Sequence, residues 1–92
     1  MAKIIKFSHT FKKMYQKLPS QIQKKVDKQL EFLVCNPRHP SLKIHLIKGA
    51  KNIWEGYVDD FHRFTFEIRE DHYYLRLGGS CGIVNKEVKR WD

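Results

Sequence analysis

Between positions 43 and 76 the chain carries Lys43, His45, Lys48, Lys51, Glu55, Tyr57, Arg63, Thr65, Tyr74 and Arg76. Guanidinium groups grip phosphate through paired donors, aromatic rings stack on bases, and a carboxylate can take a proton. This is equipment for holding single-stranded RNA and for moving a proton beside a phosphodiester, provided the side chains share a face. Taken alone, Glu55, Thr65 and Arg76 read equally as a polar cross-strand ladder, which any antiparallel sheet with one wet face displays. Arg63 is better placed, because it stands by the Asp59-Asp60 turn yet faces Tyr57 and a basic rim rather than an acidic partner. Lys24, Lys25 and Lys28 read as an ordinary solvated helix face, and His9, His39 and His72 as surface or loop residues.

Positioning those groups on one face requires strands, and from position 44 the apolar period is two. Strands are expected over 44–47, 53–58, 62–69 and 72–77, joined closely enough for an antiparallel meander. With a two-residue turn at Glu70 and Asp71, Ile68 pairs with Tyr73, Phe66 with Leu75 and Phe64 with Leu77, core against core. In the preceding hairpin Val58 opposes His62 and Trp54 opposes Phe66 inside, while Tyr57 faces Arg63 and Glu55 faces Thr65 outside. The outer face therefore collects Glu55, Tyr57, Arg63, Thr65, Tyr74 and Arg76, with His45 from the neighbouring strand and Lys43, Lys48 and Lys51 around the rim.

The first half supplies the cover for the inner face. Lys3 to Phe7 reads as a short edge strand, and Phe7, Phe11, Met14, Tyr15 and Leu18 recur at helical spacing behind Ser8 or Thr10 as N-cap. Pro19 ends that helix and opens a second, striped by Ile22, Val26, Leu30 and Leu33 and closed by Asn36-Pro37. The segment after Gly82 continues as a short strand or helix, with Trp91 either stapled to the core or exposed.

With 92 residues, one domain spanning 1–92 is expected. A hydrophobic fraction of 41% and an aromatic fraction of 13% exclude a disordered tail. Eighteen Lys and Arg against ten Asp and Glu give a net charge of +8, which favours polyanionic partners through counterion release. No apolar run approaches the roughly 20 residues of a membrane span, and the opening Met-Ala-Lys-Ile-Ile-Lys-Phe is too short for a signal peptide. A cytoplasmic protein with no membrane partner is expected. Cys35 and Cys81 are far apart and form no CxxC pair, so neither a metal site nor a disulfide is indicated.

Four segments carry a family likeness. They are Leu18-Pro19-Ser20-Gln21-Ile22-Gln23-Lys24-Lys25-Val26; Asn36-Pro37-Arg38-His39-Pro40-Ser41-Leu42; Leu46-Ile47-Lys48-Gly49 followed by Ile53-Trp54-Glu55; and His62-Arg63-Phe64-Thr65-Phe66. In order and spacing the chain, from about Phe7 to about Cys81, resembles toxins of the RelE/ParE superfamily, most closely the mRNA-interferase branches. The resemblance implies an α+β fold, β-α-α-β-β-β, with a helical hairpin packed on one face of a mainly antiparallel sheet. It also implies the toxin of a bacterial toxin–antitoxin pair, held in a heteromeric complex by a cognate antitoxin. Such a toxin enters the ribosomal A site and cuts mRNA with no metal or cofactor, using the substrate's own 2′-hydroxyl as nucleophile.

On that likeness Arg63 stabilises the phosphate, Glu55 is the base, and Arg76 falls near a second arginine. The lysines, His45, Tyr57 and Tyr74 would bind RNA. Cys81 stands where many members carry a histidine, and a thiol is a weak proton donor to an alkoxide. Cleavage would then rely on His45, His62 or Tyr74, or be weak, or be lost. Two other readings stay open: a binding-only member, inactive as a nuclease or poisoning gyrase as ParE toxins do, and a basic RNA-binding module unrelated to toxins.

Overall fold

The computed structural model describes residues 3–80 and 82–83; the readings placed on Cys81 and on 84–92, Trp91 included, lie outside the described residues. Strand β1 (Ile4–Phe7) leads to α1 (His9–Gln16), whose N-cap is Ser8, its hydroxyl accepting from the Phe11 N–H. Pro19 follows, with its fixed φ suited to a helix start, and α2 runs over Ser20–Cys35. A 3-10 turn (Pro40–Leu42) precedes β2 (His45–Leu46), β3 (Trp54–Asp59), β4 (His62–Ile68) and β5 (His72–Ser80). The five strands lie in the order β1-β5-β4-β3-β2, antiparallel except for the parallel pair β1 and β5. The fold is thus α+β as expected; its five strands fall where the sequence pattern put them, one more than the β-α-α-β-β-β order that the resemblance implied.

The helical hairpin lies over one face, α1 on β5 and α2 on β3. Phe11, Val26, Leu30 and Leu33 from the helices meet Leu42, Val58, Phe64, Phe66, Tyr73 and Leu75 in one core. Burying a large apolar side chain contributes about 1.5–3 kcal/mol, so this layer accounts for most of the cohesion. Two close approaches depend on glycine. A Cβ at Gly56 would run into the Phe64 ring, and one at Gly78 would lie 2.7 Å from the Phe11 ring.

The inner hairpin has the expected register at Trp54–Phe66, Glu55–Thr65 and Tyr57–Arg63. Two bulges alter the rest. His62 opposes Asp59 rather than Val58, because the ladder shifts between Tyr57 and Asp59. In the outer hairpin Ile68–Tyr73 and Phe66–Leu75 hold, but Phe64 opposes Gly78 and Leu77 opposes Thr65, since β5 carries Arg76 as an extra residue there. Leu77 therefore shares the face of Thr65, away from the helices. The Thr65 hydroxyl, 3.1 Å from the Leu77 nitrogen, accepts the hydrogen bond at the bulge.

Candidate functional site

Four features of local structure bring the chemistry-bearing groups together. Lys43 adopts a left-handed conformation (φ 46°) at the end of the 3-10 turn and redirects the chain into β2. There His45 opposes Glu55, and one step along the same face Tyr57 opposes Arg63. Strand alternation puts Glu55 and Tyr57 on one side, two residues apart. The result is a pocket of about 290 Å³ lined by Lys43, His45, Glu55, Tyr57 and Arg63.

Its centre is a histidine–carboxylate pair. His45 Nε2 lies 3.0 Å from Glu55 Oε1, and His45 Nδ1 lies 3.1 Å from the Lys43 carbonyl oxygen. Both partners are acceptors, so the imidazolium form, which has two N–H donors, satisfies both contacts at once. His45 is exposed whereas Glu55 is buried, so the histidine is the half of the pair that can swing.

The other wall is cationic and aromatic. The Arg63 guanidinium lies 4.6 Å from the Tyr57 ring centroid and the Lys43 ammonium 4.4 Å, so two cations share one ring. Arg63 Nη1 donates to the carbonyl oxygens of His62, at 2.8 Å, and Asp59. The Tyr57 hydroxyl donates to Asp60 Oδ1 at 2.6 Å, and this bond raises its pKa and keeps the ring neutral. Asp59 in turn accepts from the Phe61 N–H at 2.9 Å and meets His62 Nδ1 at 2.9 Å and Lys25 Nζ at 3.3 Å. Burial would raise the Asp59 pKa, but hydrogen bonds from His62, Phe61 and Lys25 outweigh it and hold the carboxyl at about 2.

The remaining expected residues lie elsewhere. Arg76 pairs with Glu67 at 2.6 Å and lines a separate hollow with Ser8, His9, Thr10 and Tyr74. The bulge at Arg76 and the Glu67 carboxylate explain the displacement, while Arg69 both pairs with Glu67 and stacks near Tyr74. Thr65 is fully buried and Glu55 nearly so, which corrects the expectation of a wholly open face. Lys48 and Lys51 are exposed on the loop before β3, outside the lining of the pocket. A larger, mostly apolar cavity of about 400 Å³ is lined by Phe7, Phe11, Tyr15 and Leu30, with Lys12 and Asp27 as the charged lining residues among those described.

Sequence reasoning missed Gln29. Its amide nitrogen donates to the Tyr57 carbonyl at 2.8 Å and to the Ser41 carbonyl at 3.2 Å, joining both walls of the pocket from below. The signal was present, because 22, 26, 29 and 33 form a helical stripe in which Gln29 is the polar member.

This layout, two helices on a mixed five-stranded sheet, is the fold of the RelE/ParE-superfamily toxins. YafQ from Escherichia coli matches with a TM-score of 0.74 and 15% identity, over 89% of this chain and 97% of that one. A mutant of the E. coli toxin RelE in the free state matches at 0.73 and 17% identity, over 98% and 97%. The RelB–RelE antitoxin–toxin complex from Methanococcus jannaschii matches at 0.68 and 21% identity, over 89% and 96%. No family model and no curated protein matches the sequence. At these identities the likeness establishes the fold, and the chemistry has to be argued from this chain's own residues.

Proposed function

We propose that this chain is the toxin of a toxin–antitoxin pair, a RelE/ParE-family endoribonuclease that cuts mRNA in the ribosomal A site. The observation that carries the reading is the gathering of Arg63, Glu55, His45, Tyr57 and Lys43 around one pocket. A phosphodiester entering it replaces the contact between His45 and Glu55. Glu55 takes the proton of the 2′-hydroxyl, whose oxygen forms a bond to phosphorus while the bond from phosphorus to the 5′-oxygen breaks. His45, as imidazolium, returns a proton to that leaving oxygen, giving a 2′,3′-cyclic phosphate and a 5′-hydroxyl. Arg63 and Lys43 offset the charge that builds on the phosphoryl oxygens. In this scheme His45, one of the three groups named as substitutes for the histidine that Cys81 replaces, is the proton donor, and the chemistry uses no cofactor. Arg76, tied to Glu67, acts outside the pocket.

The proposed partner is an antitoxin, and the protein would work in the cytoplasm. No helix among the described residues is long and apolar enough to cross a membrane. Structures of this fold include toxin–antitoxin complexes, DinJ–YafQ and RelB–RelE among them. The apolar cavity, lined in part by exposed Phe7, suits an apolar element of such a partner.

Induced without its partner, the protein should arrest growth and leave codon-phased cuts in translated messages. Arg63→Ala should abolish both, as read by mapping 5′ ends. Arrest with intact mRNA would point instead to a gyrase-poisoning or otherwise non-nucleolytic member.

A further inference from the structure

The β3–β4 turn presents an aromatic ring that neither the core nor the pocket uses. Phe61 is 73% exposed, more than the other exposed large apolar side chains among the described residues, Ile4 and Phe7 on β1 and Leu46 on β2. Single exposed apolar residues are common and need no explanation by themselves. This one sits where turn chemistry favours Gly, Asn, Asp or Ser, and where a ring gains nothing from water.

The turn is also held firmly. The Phe61 N–H donates to Asp59 Oδ1, the Tyr57 hydroxyl to Asp60, and Arg63 to the backbone oxygens of Asp59 and His62. Lys25 of α2 ties Asp59 down from the helix side. A ring carried on so constrained a backbone loses little conformational freedom when something stacks on it. Tyr57 and Arg63, which end the pocket, flank this turn on its two strands. Two residues of chain reach at most about 7 Å, so the Phe61 backbone lies within one nucleotide's reach of a phosphate at Arg63.

We propose that Phe61 is a stacking platform for the mRNA base adjoining the phosphate gripped by Arg63, and that it sets the register in which the message enters the pocket. The inference rests on the endonuclease reading above. Stacking of a base on an aromatic side chain is worth about 1–3 kcal/mol, or roughly 5- to 150-fold in affinity, and tolerates any base.

The test measures binding of the full chain to ribosomes carrying a short mRNA in which the scissile 2′-hydroxyl is replaced by hydrogen. Phe61→Ala and Phe61→Leu should each weaken binding about ten-fold or more, whereas Phe61→Tyr should restore it, because a flat ring rather than bulk is required. A series of messages with one base removed at each A-site position supplies a double-mutant cycle. At one position, loss of the base should weaken the wild type but leave Phe61→Ala unchanged. Additive losses at every position, or unaltered binding by Phe61→Ala, overturn the assignment. So does an effect confined to association with a partner protein, which would make Phe61 a protein contact. Arg63→Ala is the separate arm. If it binds as the wild type does, the pocket reading itself falls, whereas loss in Arg63→Ala with none in Phe61→Ala removes the Phe61 inference alone.

Discussion

Asp59 shows how one side chain holds a site it does not enter. Its carboxylate gathers His62, Lys25 and the Phe61 N–H, while its own carbonyl oxygen faces Arg63. The folded carboxyl titrates at about 2, against roughly 3.9 in an unfolded chain. The charged form is therefore the one that stabilises the fold. That contribution is complete above about pH 4 and is lost as the pH falls from about 4 toward 2. After allowance for solvent screening of a partly exposed group it amounts to about 1–2 kcal/mol. Asp59→Asn should accordingly lower the melting temperature at pH 7 but bring it close to that of the wild type at pH 2. A deficit of the same size at both pH values would show that the carboxylate's charge is not what matters.

Among the elements, α2 does more than cover the sheet. Gln29 projects from the apolar stripe and donates to Tyr57 on β3 and to Ser41 in the turn that leads to Lys43 and His45. Gln29→Leu keeps most of the volume but leaves two carbonyl oxygens without this donor in a partly buried setting, at a cost of about 1–3 kcal/mol. For a domain of this size, each kcal/mol lowers the melting temperature by about 4–8 °C. If the helix also positions the pocket, kcat of the cleavage reaction should fall at temperatures where the variant is fully folded, with KM changed little. A lower melting temperature with unchanged kcat would limit Gln29 to stability. Alternation made the pairs Trp54–Phe66, Glu55–Thr65 and Tyr57–Arg63 legible in the sequence, and with them three of the five pocket residues. Alternation counts residues rather than hydrogen bonds, so it could not show the extra residues at the two bulges. For that reason Leu77 is expected under the helices and Arg76 beside Arg63, whereas Thr65 keeps its face and differs only in being buried. The Glu67–Arg76 pair was equally hidden, because a diagonal contact depends on the twist and bulge of the strands and leaves no periodic trace.

At the scale of the whole molecule, the net charge of +8 sets two salt effects against each other. Like charges on so small a body repel and weaken the compact state, while the exposed ion pairs that oppose this contribute at most about 1 kcal/mol each. Added salt screens both, and with positive charge in such excess the relief of repulsion should dominate. RNA binding responds in the other direction, because every phosphate neutralised by Lys or Arg releases counterions whose return becomes easier as salt rises. Between about 50 and 200 mM salt the melting temperature should therefore rise by a few degrees while affinity for single-stranded RNA drops, with a log–log slope of roughly −0.7 for each phosphate engaged. Arg63→Ala should reduce that slope by about one phosphate's worth, whereas Phe61→Ala should lower affinity without altering it, since stacking releases no ions. Calorimetric melting and fluorescence anisotropy over the same salt series measure the two trends side by side. A melting temperature that falls with salt would mean that specific ion pairs such as Lys25–Asp59 and Arg76–Glu67 outweigh the global repulsion, and that the excess charge carries little cost to the fold.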